Sequence, residues 1–227
     1  MRYAIYFVPA QETPLARFGA TWLGYDSSRR LDVLHPPVDG LAPDAVRAAT
    51  AEPRRYGFHA TLKPPFTLAE GRDEKALVEA ARDFAQEQTS VVLPAAEVSA
   101  IGRFLALVPS EPASPLNDLA GACVEAFERF RAPLSEADYA RRLSKPLTDR
   151  QREHLEAWGY PYVFDQFRFH MTLTGPLDEP LRALLLPALR SAYAEIAAPV
   201  VIDAVTVLCQ PDRAGRFHVL ERFAFRQ

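Results

Sequence analysis

Apolar and polar residues alternate most regularly at Phe58-His59-Ala60-Thr61-Leu62 and again, 111 residues later, at Phe169-His170-Met171-Thr172-Leu173. In the first run Phe58, Ala60 and Leu62 share one parity, and Gly57, His59, Thr61 and Lys63 share the other. A period of two marks a strand with one buried face. The second run is cleaner. There Phe167, Phe169, Met171 and Leu173 alternate with Gln166, Arg168, His170, Thr172 and Thr174, which predicts a strand ending at Thr174. In each run the His and the Thr two places on must point the same way.

The remaining pattern predicts a first strand over 3–8, stopped by Pro9. Thr13-Pro14 is a cap followed by proline at the first helical position, and Leu15, Phe18 and Trp22 form one face before Gly24. Residues 34–53 are proline-rich and irregular, with a short helical turn after Pro43. Lys63-Pro64-Pro65-Phe66 closes the first His strand, and 73–88 is an amphipathic helix with Leu77, Ala80, Ala81 and Phe84 on one side. Strands are predicted over 91–100 and 104–108 around a turn at Gly102. Ser114-Pro115 starts a helix carrying Leu116, Leu119, Cys123, Phe127 and Phe130. A polar connection, 133–145, follows, and Thr148-Asp149-Arg150-Gln151 is a capping box for a helix reaching Trp158. A helix over 179–196 should be kinked or split by Pro187, and strands 200–208 and 217–225 flank a turn at 210–215.

The order His-x-Thr strand, helix, strand, Gly-Arg-Phe, strand occurs twice. Arg103 of Gly102-Arg103-Phe104 lies 44 residues beyond His59, and Arg216 of Gly215-Arg216-Phe217 lies 46 beyond His170. An internal duplication is implied. The expected fold is α+β: a bilobal pseudo-twofold duplication, with antiparallel sheets facing a central cleft and helices outside. The lobes are 1–132 and 146–227, strands exchanging between them, with 133–145 as connection.

At 227 residues, 48% hydrophobic and 24% charged, the chain can bury a core without staples, and no apolar run is long enough to span a bilayer. Its first residues suit a strand better than a signal peptide, so a cytoplasmic monomer without membrane partners is expected. Cys123 and Cys209 lack metal-ligand spacing and read as buried, reduced core residues, with no zinc site. A net charge of -3 gives no field for gripping long nucleic acid, although a local arginine cluster can hold a small anion.

Two imidazoles converging on one cleft can move protons both ways at neutral pH, one deprotonating an attacking hydroxyl and the other protonating the leaving oxygen. Threonine hydroxyls on the same faces can hold the non-bridging oxygens of a phosphate. No metal or cofactor is needed for such chemistry. With Arg55-Tyr56-Gly57 before the first motif, Lys63-Pro64-Pro65-Phe66 after it and Trp158-Gly159-Tyr160-Pro161-Tyr162 ahead of the second, the pair resembles the 2H phosphoesterase superfamily, in particular a branch associated with phosphonate metabolism operons. The resemblance implies a bilobal fold with the site between lobes, His59 and His170 as acid/base pair, and Thr61 and Thr172 as phosphate ligands. It also implies hydrolysis of a small cyclic phosphate, with 5-phosphoribosyl 1,2-cyclic phosphate suggested by the phosphonate association. RNA 2',3'-cyclic phosphodiesterase or 2'-5' RNA ligase-like end processing is the alternative enzyme, and a non-catalytic nucleotide- or RNA-binding module the alternative of another class.

By parity Lys63 joins the His59 face and Arg168 the His170 face, where both can meet a phosphate. Tyr56, with Tyr160 and Tyr162, can stack on a sugar or base. A second phosphate can draw on Arg54, Arg55, Arg103, Arg141, Arg142, Arg150 or Arg216. His35, His154 and His218 lack a following Thr and are given no catalytic part.

Overall fold

The computed structural model describes residues 1–144 and 146–226. Lys145, the last residue of the expected connection, and Gln227 lie outside the described residues. In chain order the first half holds β1 (Arg2–Phe7), α1 (Pro14–Leu23), β2 (Tyr25–Asp26), β3 (Leu31–Asp32), α2 (Pro43–Ala49), α3 (Ala51–Arg54), β4 (Ala60–Phe66) and α4 (Glu74–Glu87). Then come β5 (Val91–Leu93), β6 (Ala96–Ile101), β7 (Phe104–Pro109), α5 (Ser114–Ala126) and α6 (Glu136–Leu143). The rest is α7 (Asp149–Trp158), β8 (Met171–Thr172), α8 (Glu179–Ala194), β9 (Val200–Ile202), β10 (Ala204–Gln210) and β11 (His218–Ala224).

Two of the helix signals act as expected. Thr13 Oγ1 accepts from the Ala16 amide and Gly24, at φ 72°, closes α1, while Thr148 and Gln151 make both bonds of a capping box. Other elements differ. Ser114 is the first residue of α5 instead of its cap, which is Ala113 without a side-chain bond, and α5 stops at Ala126, short of Phe127 and Phe130. The expected strand 91–100 divides, β5 pairing with β9 and β6 with β7. Within 133–145, Ser135 accepts from the Asp138 amide and starts α6. Pro187 does not split α8, because Leu185 and Leu189 on either side of it are fully buried, and their packing offsets the missing amide, an interior-proline cost of about 3 kcal/mol.

One antiparallel sheet of seven strands runs through both halves in the order β11-β10-β1-β4-β8-β7-β6. The fold is α+β, as expected. Exchanging β1 with β7, β4 with β8, β5 with β9 and β6 with β10 maps β1·β4 onto β7·β8 and β1·β10 onto β7·β6, and leaves β4·β8 and β5·β9 paired as before. That is a local twofold relation centred on the Ala60↔Met171 pair, and β11 lies outside it. The duplicated unit therefore starts one strand earlier than the sequence repeat suggested: β7 both closes the first hairpin and opens the second unit.

Helices α4, α5 and α8 pack on the sheet. The main core gathers Ile5, Phe7, Ala60, Leu62, Leu107 and Met171 with Leu77, Phe84, Leu119, Leu185 and Leu189 of those helices. Ala4, Tyr6 and Val8, of the other parity on and beside β1, pack with Leu208 and Phe217 in a smaller separate cluster. No helix among the described residues is long and apolar enough to cross a membrane.

Candidate active site

The register of β4 and β8 decides which side chains meet. Ala60 opposes Met171 antiparallel, so His59 stands opposite Thr172 and Thr61 opposite His170. Since Ala60 and Met171 turn into the main core, the two His and two Thr occupy the other face. The histidines take diagonal corners of a square, positions about 7–8 Å apart in an antiparallel pair, with a hydroxyl at each remaining corner.

Both motifs sit at the starts of their strands instead of within them. β4 begins at Ala60 and continues through Pro64 and Pro65 to Phe66, past the expected closing prolines. β8 has two residues, far short of the alternating run from Gln166 to Thr174, because the Thr174 hydroxyl accepts from the Leu105 amide at 2.9 Å and the Leu173 and Thr174 amides share the Leu105 carbonyl. That irregularity removes the chain from the ladder after Thr172. Ahead of each strand the chain makes the same local turn. His59 Nδ1 donates to the Gly57 carbonyl and His170 Nδ1 to the Arg168 carbonyl, each at 2.8 Å. Gly57 has φ 75°, and a side chain there would also meet Ser27 within 2.6 Å.

With Nδ1 protonated, Nε2 is the acceptor in both rings. The Thr61 hydroxyl donates to His59 Nε2 at 3.2 Å. The Tyr6 ring stacks on His59 with centroids 3.8 Å apart, whereas the symmetry-related position, Ala106, carries no ring. Burial, and secondarily the charge of His170, push the His59 pKa down to about 4, against the support of the Gly57 carbonyl. His170 is also lowered, by burial. Two equivalent histidines in the sequence thus sit in unequal surroundings.

A cavity of about 440 Å³ opens on His59, Thr61, Thr172 and Thr174, walled by Tyr6, Tyr56, Tyr160 and Phe104. The His170 ring stands beside that of Phe104, centroids 5.8 Å apart. Tyr56 lines the cavity, stacked on Phe217, while Tyr162 pairs edge-on with Tyr160.

Lys63 requires a correction. The register between β1 and β4 shifts between Tyr6↔Thr61 and Ile5↔Lys63, a bulge that puts Lys63 on the core side with Leu62. Its Nζ donates to the Val124 carbonyl at 2.9 Å and pairs with Glu128 at 2.7 Å. Arg168 is exposed and lines a separate depression with Asn117 and Phe169. Of the seven arginines considered for a second phosphate, Arg141 and Arg142 line the cavity. Arg54 is bound to the Leu23 carbonyl and His35, Arg103 to the Leu177 carbonyl, Arg150 and Arg216 to carboxylates, and Arg55 to the Arg213 carbonyl. His154 is a buried partner of Asp165 at 2.6 Å. Cys123 and Cys209 are buried and free. Arg2, Tyr6 and Phe104 were not anticipated in the cavity. Their signal would have been which strands flank β4 and β8, a non-local fact.

A family model described as "Protein of unknown function (DUF1045)" matches residues 61–218. The chain belongs to the DUF1045 family. This DUF1045 chain is also 37% and 38% identical, over 99% and 96% of its length, to two curated proteins. They are named ribose 1,5-bisphosphate phosphokinase PhnN and come from Janthinobacterium sp. (strain Marseille) and Laribacter hongkongensis (strain HLHK9). It spans about half of each relative, 51% and 50%. Among solved structures, E. coli LigT complexed with 3'-AMP superposes with a TM-score of 0.49 at 16% identity, covering 100% of this chain and 98% of that one. TT0787 of Thermus thermophilus gives 0.44 at 13%, with the same coverage.

Proposed function

We propose that this chain is a 2H-type phosphoesterase that opens a small cyclic phosphodiester with His59 and His170 as its proton carriers. The observation that carries the proposal is the square of His59, Thr61, His170 and Thr172 about the Ala60↔Met171 pair, with each imidazole held in the same tautomer by the carbonyl two residues back. A phosphate at its centre has an imidazole nitrogen on either side and a hydroxyl for each non-bridging oxygen. His59, the more strongly held neutral, takes the proton of an attacking water as the new P–O bond forms. His170, entering as the imidazolium with Nδ1 on the Arg168 carbonyl, gives its Nε2 proton to the ester oxygen as that oxygen's bond to phosphorus breaks, and the hydroxyls meet the charge that develops on the non-bridging oxygens.

The substrate proposed is 5-phosphoribosyl 1,2-cyclic phosphate or a close relative. Breaking its bond between phosphorus and the 2-oxygen leaves ribose 1,5-bisphosphate, the compound in the name of both curated relatives. Their kinase name belongs to proteins twice this length. None of the ten glycines here is followed by lysine, so the sequence holds no Gly-Lys-Ser/Thr phosphate loop of the kind that grips a nucleotide, and phosphoryl transfer is not proposed for this chain.

The test is hydrolysis by EDTA-treated protein of 5-phosphoribosyl 1,2-cyclic phosphate and of a nucleoside 2',3'-cyclic phosphate. Turnover of the sugar that survives the chelator and is lost in His59→Ala and His170→Ala is the expected result. Preference for the nucleotide would move the protein to RNA ends, strict need for a divalent ion would overturn the mechanism, and binding without turnover would make it a binding module.

A further inference from the structure

One wall of the cavity carries more positive charge than the phosphate square can use. Arg2, Arg141 and Arg142 all line it. The Arg142 guanidinium lies 4.9 Å from the centre of the Tyr160 ring, and its Nε is buried with no partner among the described residues. Arg2 donates to Gln210 Oε1 at 2.8 Å and lies over Phe217 at 5.5 Å, bound to no carboxylate among the described residues. Arg141 has Asp138 at 2.8 Å, a carboxylate it shares with Arg213. Asp138 does not line the cavity, and the acid that does, Glu52, packs by Gly175.

Helix α6, which brings Arg141 and Arg142, has no buried residue. What ties it down is polar: the Asp138–Arg213 pair and the seat of Arg142 on Tyr160. A short helix held by these contacts presents a half-buried cation whose Nε finds no acceptor among the described residues, beside two further guanidiniums. Such a group is costly to desolvate unless an anion completes it. Arg2 and Tyr6 share a face of β1 four residues apart, about 13 Å along a strand, and Tyr6 is the ring stacked on His59. The arginine end and the histidine end are therefore separated by a span that one sugar ring, reached from both sides by long side chains, fills.

We propose that Arg142, with Arg2 and Arg141, binds a second anionic group of the substrate, a terminal phosphomonoester, while the cyclic phosphodiester sits between His59 and His170. This rests on the phosphoesterase reading and adds to it the residues that select, among cyclic phosphates, one carrying a separate phosphate at the far end of the sugar. Planar guanidiniums suit this dianion, which accepts two-pronged bonds, better than a neutral hydroxymethyl group.

The experiment compares kcat/KM for 5-phosphoribosyl 1,2-cyclic phosphate and for ribose 1,2-cyclic phosphate in the wild type, Arg142→Gln and Arg142→Lys. Calorimetry with ribose 5-phosphate on the wild type, Arg142→Gln and His59→Ala runs alongside. The wild type is expected to prefer the 5-phosphorylated substrate. Arg142→Gln should lose about tenfold to a hundredfold of that preference, and Arg142→Lys should keep part of it. Ribose 5-phosphate should bind the wild type and His59→Ala alike and Arg142→Gln more weakly. An unchanged preference in Arg142→Gln, or equally tight ribose 5-phosphate binding by it, overturns the anion site while leaving the phosphoesterase intact. No turnover of either ester by the wild type, with ribose 5-phosphate binding still dependent on Arg142, overturns the phosphoesterase and supports the anion site.

Discussion

Keeping His59 neutral in the fold should make the protein lose stability as the pH falls below the ordinary histidine range. Its pKa falls from the ordinary 6.5 to about 4 because the ring is enclosed under Tyr6. Above 6.5 neither folded nor unfolded chain holds the proton, and the full stability is present. As the pH falls from 6.5 toward 4 the unfolded chain takes it up and the folded chain does not, so stability is lost with falling pH, by about 1.4 kcal/mol per unit. Between about pH 7.5 and about pH 4.5 the loss through this one group is about 2.5 kcal/mol, a large part of the 5–15 kcal/mol typical of a domain. Urea unfolding at the two pH values measures it. His59→Gln removes the titrating ring, so the wild type's stability relative to that variant should fall by about 2.5 kcal/mol over the interval, and an NMR titration should show the His59 ring still neutral at about pH 5. A wild-type ring titrating near 6.5, or a stability difference that does not move with pH, would refute the claim that burial holds His59 neutral.

Other consequences follow from the same contacts. Glu128→Ala leaves the buried Lys63 ammonium with the Val124 carbonyl, and should cost about 3–5 kcal/mol in chemical denaturation while KM for the cyclic phosphate stays the same. A raised KM at unchanged stability would instead make Lys63 a substrate ligand. In Gly19→Ala the new methyl would lie 2.0 Å from the Phe58 ring, next to His59. The variant should lose about 1–3 kcal/mol or more by thermal melting, together with activity. The kcat/KM profile should rise through about pH 4 as His59 becomes neutral and fall again below the ordinary histidine value as His170 loses its proton, placing the optimum on the acid side of neutrality. An optimum well above neutrality would show that neither shift governs the reaction.

Local features are legible in the sequence because their causes are local. Thr13-Pro14 and Thr148 to Gln151 satisfy orphan helix amides within four residues, and the parity of His59 with Thr61 and of His170 with Thr172 is a backbone property. What the sequence hid depends on partners far away. Lys63 has the parity of His59, but a bulge set by pairing with β1 turns it to the core. The second His strand shrinks to Met171–Thr172 because the Thr174 hydroxyl, one of five polar positions in an even alternation, bonds the Leu105 amide across the sheet. Arg2 and Tyr6 enter the cavity because β1 lies beside β4, and nothing near residue 6 announces that neighbour. The weakly patterned α6 looked like connection because it buries no residue, and its hold on the protein is through charges.

The most direct test is a double-mutant cycle on kcat for 5-phosphoribosyl 1,2-cyclic phosphate with His59→Ala, His170→Ala and the two combined. If both imidazoles work on one phosphate, each single change should cost about a hundredfold to ten-thousandfold, and the double change little more than the worse single. Losses that multiply independently, or a single variant that keeps wild-type turnover, would contradict a shared acid–base site.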